Sequence, residues 1–291
     1  MIWLFLSILF STGVFLSFKA FEHYEVKTFP AIMVNYGTAM AFGLWMLNGK
    51  INFEDAEEMP LFWPVLTLGL VFIGIFYLIA LTAQNLGVSV ASVSAKMSLA
   101  IPVIVFPLID PDEPFGLLHV LGLLMALTGV FLASMKSDIN LKNKKLLALP
   151  LFVLLGSGLI DFTLGYFSAS TSHPSSTYLL TTLPFTSAFV VGIITIAIKA
   201  IVKKEWFGLK EVMGGMVLGI INFGSIFFLV KAVAESPFSR TFIFPINNMG
   251  IILGSSILSI ILFRETLSSR NKWGIFICML AIGVFYLGEV N

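Results

Sequence analysis

Charged residues are scarce in this chain of 291 residues. Asp, Glu, Lys and Arg make up 11% of it, whereas a soluble domain carries roughly 25% charged residues. Hydrophobic residues make up 58% and the mean hydropathy is +0.99, so a soluble globule would lack a polar surface. The formal net charge of +1 also gives no electrostatic basis for binding nucleic acid.

Residues that build metal and redox sites are few as well. The one cysteine, Cys278, excludes an intramolecular disulfide. The three histidines, His23, His119 and His173, stand far apart, and no His/Cys/Asp cluster has the spacing of metal ligands. We therefore predict no metal, no cofactor and no enzymatic activity, and keep an intramembrane enzyme as the less favoured alternative.

Long polar segments are also missing. The largest connection between apolar runs, from Asn48 to Leu61, is too short for a domain that folds alone. The chain opens with an apolar run that no basic residue precedes, and we find no small-residue cleavage site. We expect a retained first helix rather than a signal peptide.

Apolar runs fill the chain instead. Hydrocarbon about 30 Å thick needs about 20 apolar residues of helix, so each run predicts one membrane crossing. The predicted spans 1 to 10 are 2–19, 30–48, 62–83, 87–109, 115–134, 146–168, 175–200, 211–231, 238–263 and 271–288. The sequence predicts an all-α polytopic membrane protein with ten transmembrane helices.

Basic residues divide unevenly between two sets of connections. The connections that follow odd-numbered spans hold 13 Lys and Arg, and the other set holds three, Lys50, Lys231 and Arg240. Lys and Arg resist translocation. We therefore predict that the odd-numbered connections are cytoplasmic and that both termini face outward. As a separate expectation, we assign the chain to a bacterial inner (plasma) membrane.

An internal repeat relates the two halves. Shifting the sequence by 152 residues aligns 80–122 with 232–274 without a gap, which places Lys96 opposite Asn248 and Glu113 opposite Glu265. A five-helix unit repeated once has opposite orientations in the membrane, which is the usual construction of alternating-access carriers. We predict two inverted five-helix repeats, 1–137 and 138–291.

Charged side chains deep in the spans are the strongest candidates for function, because each costs at least roughly 2.5–3.5 kcal/mol in hydrocarbon. Two are clear, Lys96 in span 4 and Asp161 in span 6. Ser92 shares the helical stripe of Lys96, and Asn248 lies on span 9 beside Asn247. Asp161 is the candidate for proton coupling, and a purely structural pair with Lys96 is the alternative.

Neutral polar groups lie at similar depth. Asn35 and Tyr36 of span 2 and Tyr178 of span 7 are individually typical of interhelical contacts, although collectively a few should contact a substrate. Pro102 and Pro245 lie near the middle of spans 4 and 9. They predict bends that serve either gating or the static shape of the bundle.

Three short motifs add a family resemblance. They are Phe-Arg-Glu-Thr-Leu at 263–267, Asp-Glu-Pro at 112–114, and Gly122 with Gly129 and Val130 in span 5. With ten helices arranged as five plus five, the chain resembles the EamA-like branch of the drug/metabolite transporter superfamily over essentially its whole length. The resemblance implies that spans 4 and 9 line a central cavity.

We expect a secondary transporter that moves a small polar metabolite by alternating access. The lysine in mid-membrane favours an anionic or zwitterionic substrate, and either a proton or an exchanged counter-substrate would be the coupling partner. A flippase for a lipid-linked substrate is the alternative, since the same fold serves it. The expected substrate-binding residues are Lys96, Ser92, Asn35, Tyr36, Tyr178, Asn247 and Asn248, with Asp161 in coupling.

Overall fold

The computed structural model describes residues 1–47, 62–86, 88–134, 148–169, 174–203, 208–263 and 267–290. Within these ranges the chain is helical and contains no β-strand. The helices are α1 (Ile2–His23), α2 (Thr28–Met46), α3 (Phe62–Leu86), α4 (Val88–Met97), α5 (Ala100–Ile109), α6 (Leu117–Ser134), α7 (Ala148–Ala169), α8 (Pro174–Lys203), α9 (Leu209–Glu235), α10 (Arg240–Phe263) and α11 (Ser269–Val290).

The helices follow the predicted spans closely. Every span coincides with a single helix except span 4, which contains both α4 and α5. Three predictions concern positions outside the described residues: the connection 48–61, the repeat boundary between 137 and 138, and Glu265. The all-helical fold class is confirmed for the described part of the chain.

Prolines mark the starts of several helices. Pro30, Pro64, Pro102 and Pro150 are each the third residue of a helix, and Pro174 is the first residue of α8. Proline is tolerated in a first turn because the amides there have no intrahelical acceptor. These positions therefore set where a helix begins within sequences that are apolar throughout.

Span 4 is interrupted at Ser98 and Leu99. Pro102 has no amide hydrogen to donate to the Ser98 carbonyl, which accepts instead from the Ile101 amide at 2.9 Å, while the Leu99 amide donates to the Lys96 carbonyl at 3.4 Å. These tight i→i+3 turns redirect the chain directly after Lys96. In span 9, α10 continues through Pro245 as one helix.

The helices are suited to a bilayer. Seven of those described are long and apolar enough to cross one, namely α1, α3, α7, α8, α9, α10 and α11, and two shorter apolar helical segments are Val93–Ile109 and Leu117–Ala133. In α7, Leu151, Leu155 and Leu159 form one stripe that is about half exposed. Such a stripe favours lipid over water. The chain is an integral membrane protein with several spanning helices.

The helices group into two compact units. Unit 1 comprises Gly74–Tyr166 and Glu235–Asn291 together with Met1, and unit 2 comprises Ile2–Ile73 and Phe167–Ala234. Each unit combines segments of both predicted repeats. The division into 1–137 and 138–291 concerns sequence symmetry and stays a prediction.

Within unit 1, α6 and α11 approach each other through glycines. A Cβ on Gly129 would lie 2.7 Å from the sulfur of Cys278, and a Cβ on Gly274 would overlap the backbone of Ala133. The Asn271 side-chain amide donates to the Ala133 carbonyl at 2.8 Å. Small residues are the usual way for membrane helices to pack at short distance.

Within unit 2, α9 packs on α2 in the same way. A Cβ on Gly215 would lie 2.5 Å from the carbonyl oxygen of Ala31, and one on Gly219 would lie 2.7 Å from that of Asn35. About one turn further along, Asn222 Nδ2 donates to Asn35 Oδ1 at 3.1 Å. Glycine contact and an interhelical amide bond together fix the register of this pair.

Candidate functional site

Four polar side chains meet in unit 1 at the break between α4 and α5, and we call them the polar cluster: Lys96, Ser98, Asp161 and Asn248. Lys96 Nζ donates to Asn248 Oδ1 at 3.1 Å, and Asn248 Nδ2 donates to Asp161 Oδ2 at 3.5 Å. The Ser98 hydroxyl donates to the same carboxylate oxygen at 3.2 Å or to the Ala95 carbonyl at 2.6 Å. The residues that the repeat register placed opposite each other, Lys96 and Asn248, are therefore in contact.

The polar cluster is balanced in charge and partly accessible. Asn248 and Ser98 are buried, with 5% and 1% of their surfaces exposed, whereas Lys96 and Asp161 are half-buried. The two charged groups attract each other, which offsets part of the cost of removing each from water. A ligand that reaches the cluster would therefore meet both signs of charge.

Glycines on α7 bring Asp161 to this position. Gly158 and Gly165 flank Asp161 on one face of the helix, three residues before it and four residues after it. A Cβ on Gly158 would overlap Ile101, and a Cβ on Gly165 would lie 2.5 Å from the ring of Phe106. Because these positions lack side chains, α7 approaches α5 closely enough for Asp161 to contact Ser98.

An aromatic layer lies one helical turn from the polar cluster. Phe106 of α5 stacks on Phe162 of α7, with ring centroids 5.5 Å apart, and packs at 5.9 Å on Phe244 of α10. Phe106 and Phe244 are fully buried. Phe244 precedes Asn248 by four residues, which is about 6 Å of rise, so the layer separates the polar cluster from the start of α10.

A group of ionic and polar side chains, the end clamp, lies beyond that layer at the start of α10. Glu113 accepts hydrogen bonds from the backbone amides of Arg240 and Thr241 at 3.1 and 2.9 Å, from Arg240 Nε at 2.6 Å and from the Thr241 hydroxyl at 2.7 Å. Asp110 forms a second ion pair with Arg240. The guanidinium lies over the ring of Phe106, 4.5 Å from its centroid.

The end clamp satisfies the first amides of α10, which have no acceptor within the helix. A second carboxylate extends this arrangement, since Glu289 near the end of α11 accepts from both the amide and the hydroxyl of Ser239 at 2.5 Å. Glu113 and the helix that it caps are 127 residues apart, so the local sequence around either one does not predict this cap.

Two predicted site residues flank the polar cluster in sequence. Asn247 precedes Asn248 on α10 and is buried, with 5% of its surface exposed. Ser92 belongs to α4, and its side chain lies outside the described part of the structure. The contacts among the described side chains therefore bring Lys96, Asn248 and Asp161 together. That Ser92 belongs to the same site stays a prediction.

The other predicted residues belong to unit 2 and make interhelical contacts there. Asn35 bonds to Asn222. The ring of Tyr36 lies 6.3 Å from that of Phe185, and the ring of Tyr178 lies 5.2 Å from that of Phe227. Interhelical contact of this kind is the alternative to substrate binding that the sequence allows for such polar groups.

Ser98 and Arg240 are the residues that sequence reasoning missed. On a continuous helix Ser98 would point about 200° away from Lys96, and Pro102 is the signal that such continuity ends. Arg240 stands at the end of an apolar run, where a charge is ordinary. Among the described residues, no group of three or more His, Cys, Asp and Glu side chains is arranged to hold a metal ion.

Comparisons with known proteins establish a fold for this chain. No protein-family model matches it. An uncharacterized protein of Haemophilus influenzae (strain Rd) is 28% identical over an alignment of 297 positions, which covers 98% of this chain and 97% of the relative. A protein solved by crystallography is similar in structure, with a TM-score of 0.76 and 15% identity over 99% of this chain and 96% of that one. At that identity the likeness shows a shared fold alone.

Proposed function

We propose that this chain is a secondary transporter of the EamA-like branch of the drug/metabolite transporter superfamily. It moves a small anionic or zwitterionic metabolite across a bacterial inner membrane by alternating access. The observation that supports this function most directly is the polar cluster, in which Lys96 and Asp161 share the carboxamide of Asn248 at a break in a membrane helix.

The position of the charges favours transport over a structural role. Charged groups within membrane spans are costly and mark substrate or ion pathways. Lys96 and Asp161 are half-buried, so both retain surface that a ligand can contact. Broken helices recur at the substrate sites of carriers, because the interrupted backbone is tolerated where it lines a cavity.

The contact between Lys96 and Asn248 also supports the inverted repeat. The two residues are 152 positions apart, which equals the shift that aligns the two halves of the sequence. Equivalent residues of two copies touch each other only near the axis that relates the copies. Carriers with inverted repeats bind their substrates at that repeat interface.

In an alternating-access cycle, the aromatic layer and the end clamp would close the polar cluster off from one side of the membrane. Phe106, Phe162 and Phe244 lie between the polar cluster and Arg240. Release of substrate toward that end requires the aromatic rings and the Arg240–Glu113 pair to separate. Asp161 is the group that would take up a coupling proton, and exchange for a second substrate is the other mode.

A ligand screen of the purified protein tests the proposal. Amino acids, organic acids, sugar phosphates and amines would each be added while thermal unfolding is followed, with Lys96→Met in parallel. A ligand present at about 100 times its dissociation constant should stabilise the native state by about 2.7 kcal/mol. We expect a hit that Lys96→Met abolishes and that Thr163→Ala retains, since the Thr163 hydroxyl bonds to the carbonyl of Leu159 in its own helix.

Uptake of the hit into proteoliposomes then separates transport from binding alone. Normal uptake by Lys96→Met would contradict the proposed role of the polar cluster. If no soluble compound stabilises either protein, whereas lipid-linked sugars do so in a manner that depends on Lys96, the flippase alternative replaces the carrier.

A further inference from the structure

His119, the third residue of α6, is a buried histidine that the proposed transport cycle does not use. It exposes 2% of its surface. Its Nδ1 accepts a hydrogen bond from the Gly116 amide at 3.2 Å, and the Gly116 carbonyl accepts the first hydrogen bond of the helix from the Val120 amide. His119 therefore caps α6 in the way that Glu or Gln does at the same position of a capping box.

This cap requires the neutral form of the ring. A ring nitrogen that accepts a hydrogen bond carries no proton, so the proton of neutral His119 is on Nε2. Nε2 is buried and has no hydrogen-bond partner among the described residues. A second proton, on Nδ1, would set two N–H groups against each other at Gly116. It would also add a positive charge at the N-terminus of a helix, where the backbone dipoles disfavour it.

The ring has little room to turn. Its centroid lies 6.4 Å from that of Phe115, which stacks on it, and 6.3 Å from that of Phe285 on α11. A Cβ on Gly288 would lie 2.9 Å from His119 Cε1, so the backbone of α11 is close to the ring. A protonated ring that leaves the Gly116 amide therefore has to displace either the end of α11 or the connection before α6.

Two carboxylates face this ring. They are Glu289 on α11 and Glu113 in the connection before α6. Glu113 is paired with Arg240 of α10, which also pairs with Asp110, and α6 itself carries no charged residue. A positive charge on His119 is thus attracted to the two carboxylates that hold the start of α10.

The two carboxylates differ in the number of donors that they already bind. Glu113 accepts four hydrogen bonds, which is about the capacity of a carboxylate. Glu289 accepts two from the described residues, both from Ser239 at 2.5 Å. Glu289 is therefore the carboxylate that can take a further donor from a protonated His119.

We propose that His119 is a pH-sensing switch that makes the closed state of the end clamp depend on a neutral ring. On protonation the ring gives up the Gly116 amide and donates to Glu289, which then leaves Ser239, so the first turns of α6 and α10 loosen together. Histidines that are buried in the neutral form and must become charged are a general cause of acid destabilisation. The part of this switch in transport rests on the proposed carrier function, whereas the conformational change itself does not.

Hydrogen exchange of the full-length protein in nanodiscs tests the switch with no substrate present. The pH runs from about 8 to about 5, the range in which histidine changes charge, and labelling times are scaled for the intrinsic pH dependence of exchange. We expect exchange at residues 116–120 and 239–243 to rise by about fivefold toward acid, as for the loss of a helix cap. Residues 219–225 of α9 are the reference, because they contact α2 through neutral groups.

His119→Gln is the matched variant. Glutamine accepts from the Gly116 amide as in an ordinary capping box, but it does not titrate. Both helix starts should therefore stay protected in this variant at every pH. Equal pH dependence in the wild type and in His119→Gln would overturn the inference. So would an equal change at the helix starts and at the reference segment of the wild type, a comparison that does not depend on the folding of a variant.

Uptake separates failure of this inference from failure of the carrier function. For a substrate found by the ligand screen, acid on the side of the end clamp should change uptake by the wild type by about fivefold relative to His119→Gln, whereas the two should agree at pH about 8. Identical pH profiles of uptake would overturn the switch and leave a carrier. If no compound is transported, the exchange measurement still confirms or overturns the switch, because it contains no substrate.

Discussion

We expect Lys96 and Asp161 to stabilise each other, because their opposite charges attract, and the loss of stability when one charge is removed measures this effect. Asp161→Asn removes the carboxylate and leaves the Lys96 ammonium with the neutral Asn248 carboxamide. Removing one partner of a buried pair costs about 3–5 kcal/mol, and because both groups are half-buried we expect up to about 3 kcal/mol here. The measurement is the free energy of unfolding in detergent micelles.

The double variant Lys96→Met with Asp161→Asn supplies the control for this prediction. It should be more stable than Asp161→Asn alone, because the Lys96 charge is removed together with its counter-charge. Additive losses in the two single variants would mean that the residues do not interact energetically, and the polar cluster would then be only a geometric coincidence.

The residues that could be predicted from sequence are those whose chemistry conflicts with their surroundings. Lys96 and Asp161 stand out because charge inside an apolar run is costly, and the repeat register placed Asn248 opposite Lys96. Ser98 could not be predicted, because its direction depends on a helix break whose geometry arises from packing. Arg240 lies at the end of a span, where its pairing with Glu113 is a matter of tertiary structure.

At the scale of helices, the contact between α6 and α11 depends on the absence of a side chain at Gly274. A Cβ there would overlap the backbone of Ala133, whereas a Cβ on Gly283 of the same helix would meet nothing within 4 Å. Gly274→Ala should therefore destabilise the protein by about 1–3 kcal/mol through overpacking. Gly283→Ala should raise stability slightly, since alanine favours helix.

Thermal unfolding of both variants in the same detergent checks this prediction. The two substitutions add the same methyl group to the same helix, so a general effect on helix propensity would shift both alike. Equal stability of the two variants would show that α6 and α11 are not held as close as the structure places them.

The end clamp makes a second prediction at this scale. Glu113→Gln keeps the shape of the side chain but turns one acceptor oxygen into an NH₂ group that faces donors of Arg240 and Thr241. We expect a loss of about 2–3 kcal/mol, since hydrogen bonds to charged groups are the stronger ones. Hydrogen exchange at the first turn of α10 should rise.

Asp112→Asn is the matched control, because Asp112 is exposed and follows the clamp residue Asp110 by two positions. Its carboxylate should contribute little to stability. If Glu113→Gln and Asp112→Asn unfold at the same temperature, the start of α10 does not depend on its cap.

At the scale of the whole molecule, the sequence predicts where helices begin and end but not how they group. Apolar length alone places all ten spans on helices. The two compact units, by contrast, each take segments from both halves of the chain. Grouping depends on matched surfaces such as Gly215 and Gly219 against α2. Where a helix is apolar on every face, its sequence does not indicate which helix packs against it.

Contacts at the ends of helices favour ten crossings over seven. If only the seven long helices crossed the membrane, Glu113 and Arg240 would be separated by α7, α8 and α9 and would lie on opposite sides, yet they form an ion pair. Within unit 2, the Lys27 amide donates to Glu211 at 3.2 Å, which requires an even number of crossings between them. Both contacts are possible when α2, α6 and the α4–α5 pair also cross the membrane, because an even number of crossings then separates the two residues of each contact.

The parity of crossings and the distribution of basic residues together predict an orientation. Asp112 lies in a connection that follows an even-numbered span and should face outward, whereas Asn143 lies in a lysine-rich connection and should face the cytoplasm. Each position would be changed to cysteine in a Cys278→Ala background, and Cys278 itself is fully buried. A membrane-impermeant maleimide should label Asp112→Cys in intact cells and Asn143→Cys only after permeabilisation. The reverse pattern would invert the orientation and keep the parity, while labelling of both positions from one side would mean that α6 does not cross, and the ten-helix repeat would fail with it.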